Sequence, residues 1–297
     1  MSIDRMPPHF QLLHTAIDQE LHRLLPEKNS RSKTLFAGAR HAVLGGGKRL
    51  RPVLTLLSVE ALGGSVEHAL VPACAIELIH TYSMVHDDLP CMDDDDYRRG
   101  LPTVHKQFDE GTAVLVGDFL LTYAFELLSA APHLSSDIRL QLVGILSRQA
   151  GGEGMIGGQM MDLSAEGRHL SLEDIAFLHR QKTGCLMVAA VEFGSVIAHA
   201  LPVARTALAG FAEKLGLAFQ IWDDILDVTA SYEKHGRATS SDASQQKCTY
   251  VSLLGIEGAK AAARQHHQQA LQMLQLVPGQ MRSLVTFSHS LVPCMDF

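Results

Sequence analysis

Apolar residues recur at three- and four-residue spacing along most of this chain. The stretches near 9–25, 32–45, 52–62, 68–88, 112–130, 136–161, 172–183, 185–200, 203–229 and 256–276 carry that period and are predicted as helices. Sustained alternation of the kind that marks strands is absent, so the pattern predicts an all-α fold. Breaks with recognisable turn chemistry fall at Gly45-Gly46-Gly47, Gly63-Gly64, the Leu89-to-Pro102 loop, Pro132, Gly167 and the polar segment Ser231 to Thr249. No Pro/Gly/Ser-rich linker or repeat divides the chain, so residues 1–297 are expected to form one domain. The most membrane-like stretch, Gly184 to Leu201, carries Glu192 and His199 and falls short of a usual ~20-residue span. It reads as a helix buried on all sides, and no transmembrane segment is expected.

Composition narrows the function. With 46% hydrophobic residues over 297 positions the chain can bury a large core. A net charge of −7 argues against a nucleic-acid surface, which needs a basic face. Five cysteines, at 74, 91, 185, 248 and 294, form no C-x-x-C pair, and they read as small buried hydrophobes in a reducing compartment. The start, Met1 to Phe10, has Asp4, Arg5 and two prolines and no apolar signal-peptide core, so a cytoplasmic location is expected.

Two acidic clusters carry candidate chemistry. Asp87-Asp88-Leu89-Pro90-Cys91-Met92-Asp93 and Asp223-Asp224-Ile225-Leu226-Asp227 each end an apolar helical run. Such runs are either solvated helix ends or hard-oxygen ligands for Mg²⁺, which usually keeps company with phosphates. Asp223 and Asp227 lie one turn apart on one helix face. Asp87 and Asp93 would point about 120° apart in an unbroken helix. Pro90 disfavours helical geometry at Leu89, so the helix should end near Asp88 and a short loop can fold Asp93 back toward Asp87.

Cations stand nearby in sequence. Gly45-Gly46-Gly47-Lys48-Arg49-Leu50-Arg51-Pro52 sets three of them after a flexible loop, ahead of a helix that Pro52 suits in its first turn. Arg98-Arg99 follows the first acidic cluster, where anionic ligands could bridge metal and cation. His80 and Ser83 share a helix face with Asp87, His80 being either a satisfied core residue or a site residue. Lys182-Thr183 and Gln220 are polar groups in apolar helices, and a ligand could be their partner. Gln159 and Asp162 repeat the three-residue spacing of Gln220 and Asp223.

In order and spacing, these segments resemble the trans-prenyltransferases, specifically the bacterial farnesyl diphosphate synthases, over nearly the whole chain. The family's D-D-x-x-x-x-D and D-D-x-x-D motifs match Asp87 to Asp93 and Asp223 to Asp227. Its G-K-x-x-R-P and E-x-I-H-x-Y-S patterns match Gly47 to Pro52 and Glu77 to Ser83. Its R-R-G, G-Q-x-x-D, K-T and F-Q-x-x-D-D patterns match Arg98 to Gly100, Gly158 to Asp162, Lys182-Thr183 and Phe219 to Asp224. The chain departs from the family at Arg237, where lysine is usual, at Gln246 before Lys247, where glycine is usual, and at its C-terminus, which lacks the usual basic ending.

The resemblance implies a helical bundle around a deep central cavity, usually in a homodimer. It implies Mg²⁺-dependent head-to-tail condensation of isopentenyl diphosphate with dimethylallyl or geranyl diphosphate, giving mainly the C15 product. Three Mg²⁺ per site, replaceable by Mn²⁺, are expected on Asp87, Asp88, Asp93, Asp223 and Asp227. The allylic diphosphate is expected at Arg98, Lys182, Thr183, Gln220, Arg237 and Lys247, and isopentenyl diphosphate at Lys48, Arg51, His80 and Arg99. Lys182, Thr183 and Gln220 are the expected stabilisers of the carbocation, and Tyr82 with Ser83 is expected to set chain length. A geranyl or geranylgeranyl diphosphate synthase, or a catalytically weak regulatory subunit, is the alternative. A terpene cyclase would have no reason to keep a second diphosphate site at Lys48, Arg51 and Arg99.

Overall fold

The computed structural model describes residues 7–26, 31–165, 167–229 and 248–292. They form α1 (Pro8–Leu24), α2 (Lys33–Leu44), α3 (Leu50–Ala61), α4 (Val66–Asp87), β1 (Tyr97–Arg98), β2 (Leu101–Pro102), α5 (Val104–Gln107), α6 (Glu110–Ser129), α7 (Ser136–Ala150), α8 (Met155–Ala165), α9 (Leu172–His179), a π-turn (Arg180–Gly184), α10 (Cys185–Ile197), α11 (Pro202–Thr229), α12 (Tyr250–Leu274) and α13 (Arg282–Leu291). The fold is all-α, the only described strands being the two-residue antiparallel pair β1–β2. The described residues group into two compact units, the first running to Leu56 and over Val66–Val143, the second over Leu57–Ser65 and from Gly144 onward.

In the first unit α4 is the central helix. Ala73 to Ile79 are buried without a break, which is what a helix packed on several sides requires. Against it lies α1, whose Phe10, Leu13, Ile17 and Leu21 are buried at helical spacing. It also meets α6, which starts where the Asp109 carboxylate accepts from Thr112 N at 2.7 Å. The two helices approach closely at Gly117, where a Cβ would lie 2.0 Å from His86 Nε2. That imidazole instead donates to the Val114 carbonyl at 3.0 Å.

In the second unit α11 packs chiefly on α12 and α10. Capping boxes start α9 at Ser171/Asp174 and α12 at Thr249/Ser252. Gly255, at φ 69°, kinks α12 after its first turn, so the long straight part begins at residue 256 as the periodicity predicts.

Four expectations change. The helix predicted over 136–161 is two, because Gly151, Gly152 and Gly154 turn the chain between α7 and α8; a Cβ on Gly154 would lie 2.2 Å from the Gln149 carbonyl. Helix α13 is additional, and its buried Leu284, Phe287, Ser288 and Leu291 do carry the helical period. The long apolar helix is α6: it alone among the described helices has the length and hydropathy to cross a membrane, yet only 33% of that window is buried. The Gly184-to-Leu201 stretch holds the 13-residue α10, buried along most of its length as expected. Among the cysteines Cys74 is buried as expected, but Cys91 is exposed and Cys185 and Cys248 are half-buried, all four unpaired, and Cys294 lies outside the described residues.

Candidate active site

Helix α4 stops at Asp87, and Pro90 is why. Beyond it the chain turns, and Asp93 N donates to the Asp87 carbonyl at 2.8 Å, bringing the last aspartate of the motif back beside the first. Asp88 points elsewhere: buried at 4% exposure, it accepts from Arg98 Nε at 2.5 Å, while Arg98 Nη2 donates to Asp95 at 2.7 Å. Burial pushes the Asp88 carboxyl up to about 6, against the pull of Arg98. A second acidic group follows, Asp94, Asp96 and His105, with donor atoms within 4.8 Å of one another; Lys106 Nζ already bridges Asp96 at 2.7 Å.

The glycine loop gathers cations against this end of α4. Gly46 and Gly47, at φ 98° and 139°, take backbone shapes that other residues rarely adopt. A Cβ on Gly47 would sit 2.8 Å from the Arg99 guanidinium, which donates to the Gly46 carbonyl. Lys48 is exposed, whereas Arg49 turns inward at 2% exposure. Arg49 donates to Asp18 at 2.9 Å, to Glu77 at 2.9 Å and to the Val43 carbonyl at 2.6 Å. Half-buried Arg51 has an Nε that is shielded from solvent and without a partner among the described residues. Its guanidinium is lowered to about 10 by burial and by Arg99, with Glu77 opposing. His80 lies in the same field: burial and then Arg51 and Arg99 hold it well below the usual imidazole range, so it is neutral at pH 7. The structure thus groups Arg51, His80 and Arg99 around one positive region, with the Glu77 carboxylate as the opposing charge.

In the second unit the three aspartates of α11 also divide. Asp224 lies 3.3 Å from His179 Nε2 and accepts from Tyr250 N at 3.1 Å, tying α11 to α9 and α12. Asp227 is 7% exposed, and its Oδ2 has no partner among the described residues. The period places Asp223 one turn back on the same face.

Lys182 and Thr183 fall in the π-turn, where Cys185 N reaches back to the Arg180 carbonyl five residues earlier. Two glycines hold this turn. A Cβ on Gly158 of α8 would lie 2.3 Å from Lys182 N, and one on Gly216 of α11 would lie 3.1 Å from Gly184 Cα. So held, Lys182 Nζ donates to Asp162 at 2.7 Å and Thr183 Oγ1 to Gln220 Oε1 at 2.9 Å. Arg237 and Lys247 lie outside the described residues.

On α4, Tyr82 is 5% exposed, with its ring edge-on to His86 at 5.9 Å and its hydroxyl without a described partner. Burial and then Asp87 push that phenol up to about 12. Ser83 is half-buried and returns its hydroxyl to the His80 carbonyl at 2.9 Å.

Sequence reasoning singled out Arg49, Glu77 and Asp162 without their partners and missed His179. His179 follows an apolar run of α9 and carried no signal of its own.

Acidic clusters and grouped guanidinium side chains on an all-helical chain suit a ligand that pairs a divalent cation with an anionic ester. Comparison with known proteins agrees. The polyprenyl synthetase profile matches residues 32–285. The farnesyl diphosphate synthase of Haemophilus influenzae is 41% identical over 90% of this chain and 92% of its own length. The geranylgeranyl diphosphate synthase of Cyanophora paradoxa is 41% identical over 81% of this chain and 80% of its own. A crystal structure of the Helicobacter pylori geranyltransferase, complexed with magnesium and isoprenyl diphosphate, superposes with a TM-score of 0.85 at 37% identity, covering 97% of each chain. The chain belongs to the polyprenyl synthetase family. It is a prenyltransferase, and a divalent metal is the group this family implies. The unpartnered Asp227 oxygen and the folded-back Asp93 are donors of the hard type that such a cation takes.

Proposed function

We propose that the chain condenses isopentenyl diphosphate head to tail with dimethylallyl or geranyl diphosphate and releases mainly farnesyl diphosphate, the C15 product. The observation that carries this reading is the convergence of Arg51, His80 and Arg99 on the glycine loop, a site for a second diphosphate. Isopentenyl diphosphate binds there, with Lys48 at the rim. The allylic diphosphate is held by Arg98, Lys182, Thr183 and Gln220, and by Arg237 and Lys247. Asp87, Asp88 and Asp93 would hold Mg²⁺ or, in its place, Mn²⁺, as would Asp223 and Asp227, with three ions expected per active site; Asp88 also accepts from Arg98. Bound metal supplies positive charge to the departing diphosphate.

The residues' own work is electrostatic. Lys182 and Arg98 stabilise the diphosphate as it leaves with the electron pair of the C–O bond. The Thr183 and Gln220 dipoles face the carbocation left behind. The homoallylic double bond of isopentenyl diphosphate attacks it, and the released diphosphate takes the final proton, so no side-chain base is required. The profile's unbroken match over 32–285 supports residues 1–297 acting as one functional domain. Exposed Val114 and Leu115 on α6 support a homodimer, and four unpaired cysteines support the cytoplasm.

Chain length rests on α4, where buried Tyr82 limits the growing tail and small Ser83 admits the C10 intermediate. Purified protein is incubated with Mg²⁺, dimethylallyl diphosphate and labelled isopentenyl diphosphate, and the products are separated by chromatography. Wild type is expected to give C15, Tyr82→Ala to shift toward C20 and Ser83→Phe toward C10. A wild-type product that is chiefly C20 would favour the geranylgeranyl reading, which the equally identical relative of that name supports. An unchanged product distribution in Tyr82→Ala would refute the chain-length assignment.

A further inference from the structure

Glu77 is a buried carboxylate on the central helix of the first unit, 1% exposed and placed among guanidinium groups. It accepts from Arg49 Nη1 at 2.9 Å, and its charge is felt by Arg51 and Arg99 as well. A carboxylate there is awkward for a site that must attract a diphosphate. It repels the ligand, and Arg51, whose shielded Nε has no described partner, is the cation it would otherwise engage.

Arg49 occupies the position that prevents this. The residue takes a left-handed backbone, φ 49°, which turns its side chain into the protein between exposed Lys48 and the start of α3. Each of its three nitrogens then has a partner: Nε on Asp18 of α1, Nη1 on Glu77 of α4, Nη2 on the Val43 carbonyl of α2. Asp18 is steadied in turn by His14, which lies 3.4 Å away and donates from its other nitrogen to the Gly47 carbonyl at 2.9 Å. At 2% exposure, with every nitrogen turned to a protein partner, its guanidinium is kept from a ligand in solvent. It is a cation that meets no substrate.

We propose that Arg49 is a positioning residue that masks the Glu77 carboxylate, so that Arg51 and Arg99 stay free to bind the isopentenyl diphosphate. The masking also pins the glycine loop to α1, α2 and α4 at the point where its cations diverge, Lys48 outward and Arg49 inward. This inference rests on the reading of Arg51, His80 and Arg99 as the isopentenyl diphosphate site.

The test is a steady-state comparison of R49M, E77Q and R49M/E77Q, each checked for folding by circular dichroism and thermal melting. R49M exposes the Glu77 charge to Arg51, so the KM for isopentenyl diphosphate should rise about tenfold or more while the KM for the allylic substrate stays within about twofold. Adding E77Q removes the unmasked charge and should return that KM to within about threefold of wild type. A purely structural role, in which the Arg49 contacts hold the loop, predicts no recovery of KM, since E77Q restores none of those contacts. An unchanged KM in folded R49M, or a double variant no better than R49M, would overturn the proposal. If R49M does not fold, the double variant decides alone: a KM within about threefold of wild type supports masking, and a tenfold rise overturns it. R51M is run in parallel. If it too leaves the KM for isopentenyl diphosphate unchanged, the site reading itself fails; if only the Arg49 variants do so, the masking idea fails alone.

Discussion

The glycine loop of the first unit and the π-turn of the second solve opposite problems. In the loop, positive-φ glycines turn the chain so that like charges collect, leaving Arg51 with a shielded, unpartnered nitrogen. At the π-turn, Gly158 and Gly216 bring helices close so that unlike groups meet: Lys182 finds Asp162, and Thr183 finds Gln220. The first arrangement holds repulsion that an arriving anion relieves. The second holds partners that a ligand must share or displace. An anion should therefore gain more from each cation of the loop than from Lys182.

The largest effect should come from what both units have in common, the acidic clusters. Asp87→Ala and Asp223→Ala should each lower kcat by about 10²-fold or more, since charge on the leaving diphosphate would go uncompensated. Turnover at saturating Mg²⁺, with a chelator control, measures this; near-wild-type rates in either folded variant would end the metal assignment.

Next in size is the contrast itself. Arg51→Met or Arg99→Met should weaken isopentenyl diphosphate by about 1.5–3 kcal/mol, roughly 10- to 150-fold in KM, with little change for the allylic substrate. Lys182→Met should do the converse and by less, because it also releases Asp162. Equal losses for both substrates in each variant would erase the distinction between the two sites.

A smaller effect is expected at Gly158→Ala, where the methyl would press on the Lys182 backbone. Thermal unfolding should report a loss of about 1–3 kcal/mol, and kcat should fall while the KM for isopentenyl diphosphate holds. A variant with wild-type melting and turnover would show that α8 can move aside without cost.

The last effect lies away from both sites, leaves turnover at neutral pH untouched and appears only in acid. His267, 0% exposed on α12, is held at about 4 by burial and then by His289, with Nε2 3.1 Å from the Ser288 hydroxyl. Unfolding frees it to bind a proton near 6.5. Its contribution is therefore complete above pH 6.5 and lost as pH falls toward 4, by up to about 3 kcal/mol. His267→Gln should flatten the denaturation midpoint against pH over that window, and an unaltered slope would show that another group governs it.

The fold-back of Asp93 and the shared face of Asp223 and Asp227 could be read from the chain because each follows from local rules, a proline after a helix and a period of 3.6. Neighbouring residues were harder. Asp87 and Asp88, like Lys48 and Arg49, are chemically alike and adjacent, and which one turns inward depends on Arg98, Glu77 and Asp18, brought near only by folding. Residues 180–183 of the π-turn are read as ordinary helix, with a break at Gly184, since nothing in Arg-Gln-Lys-Thr marks a wider turn. The break between α7 and α8 was missed because the apolar period resumes after Gly154 and outweighed three glycines in four positions. The membrane-like quality of residues 184–201 came from burial, a tertiary property that hydropathy imitates.

From Leu172 to Ile197 the backbone winds on through α9, the π-turn and α10 with one residue more than a regular helix would hold. An extra residue advances every later side chain by about 100° around the axis. The stripe that α9 buries and the stripe that α10 buries are thus set on separate bearings although they share one rod. Removing a single residue there would leave composition and hydropathy almost untouched yet re-aim all of α10. What this segment specifies is carried by how many residues it has, as much as by which ones they are.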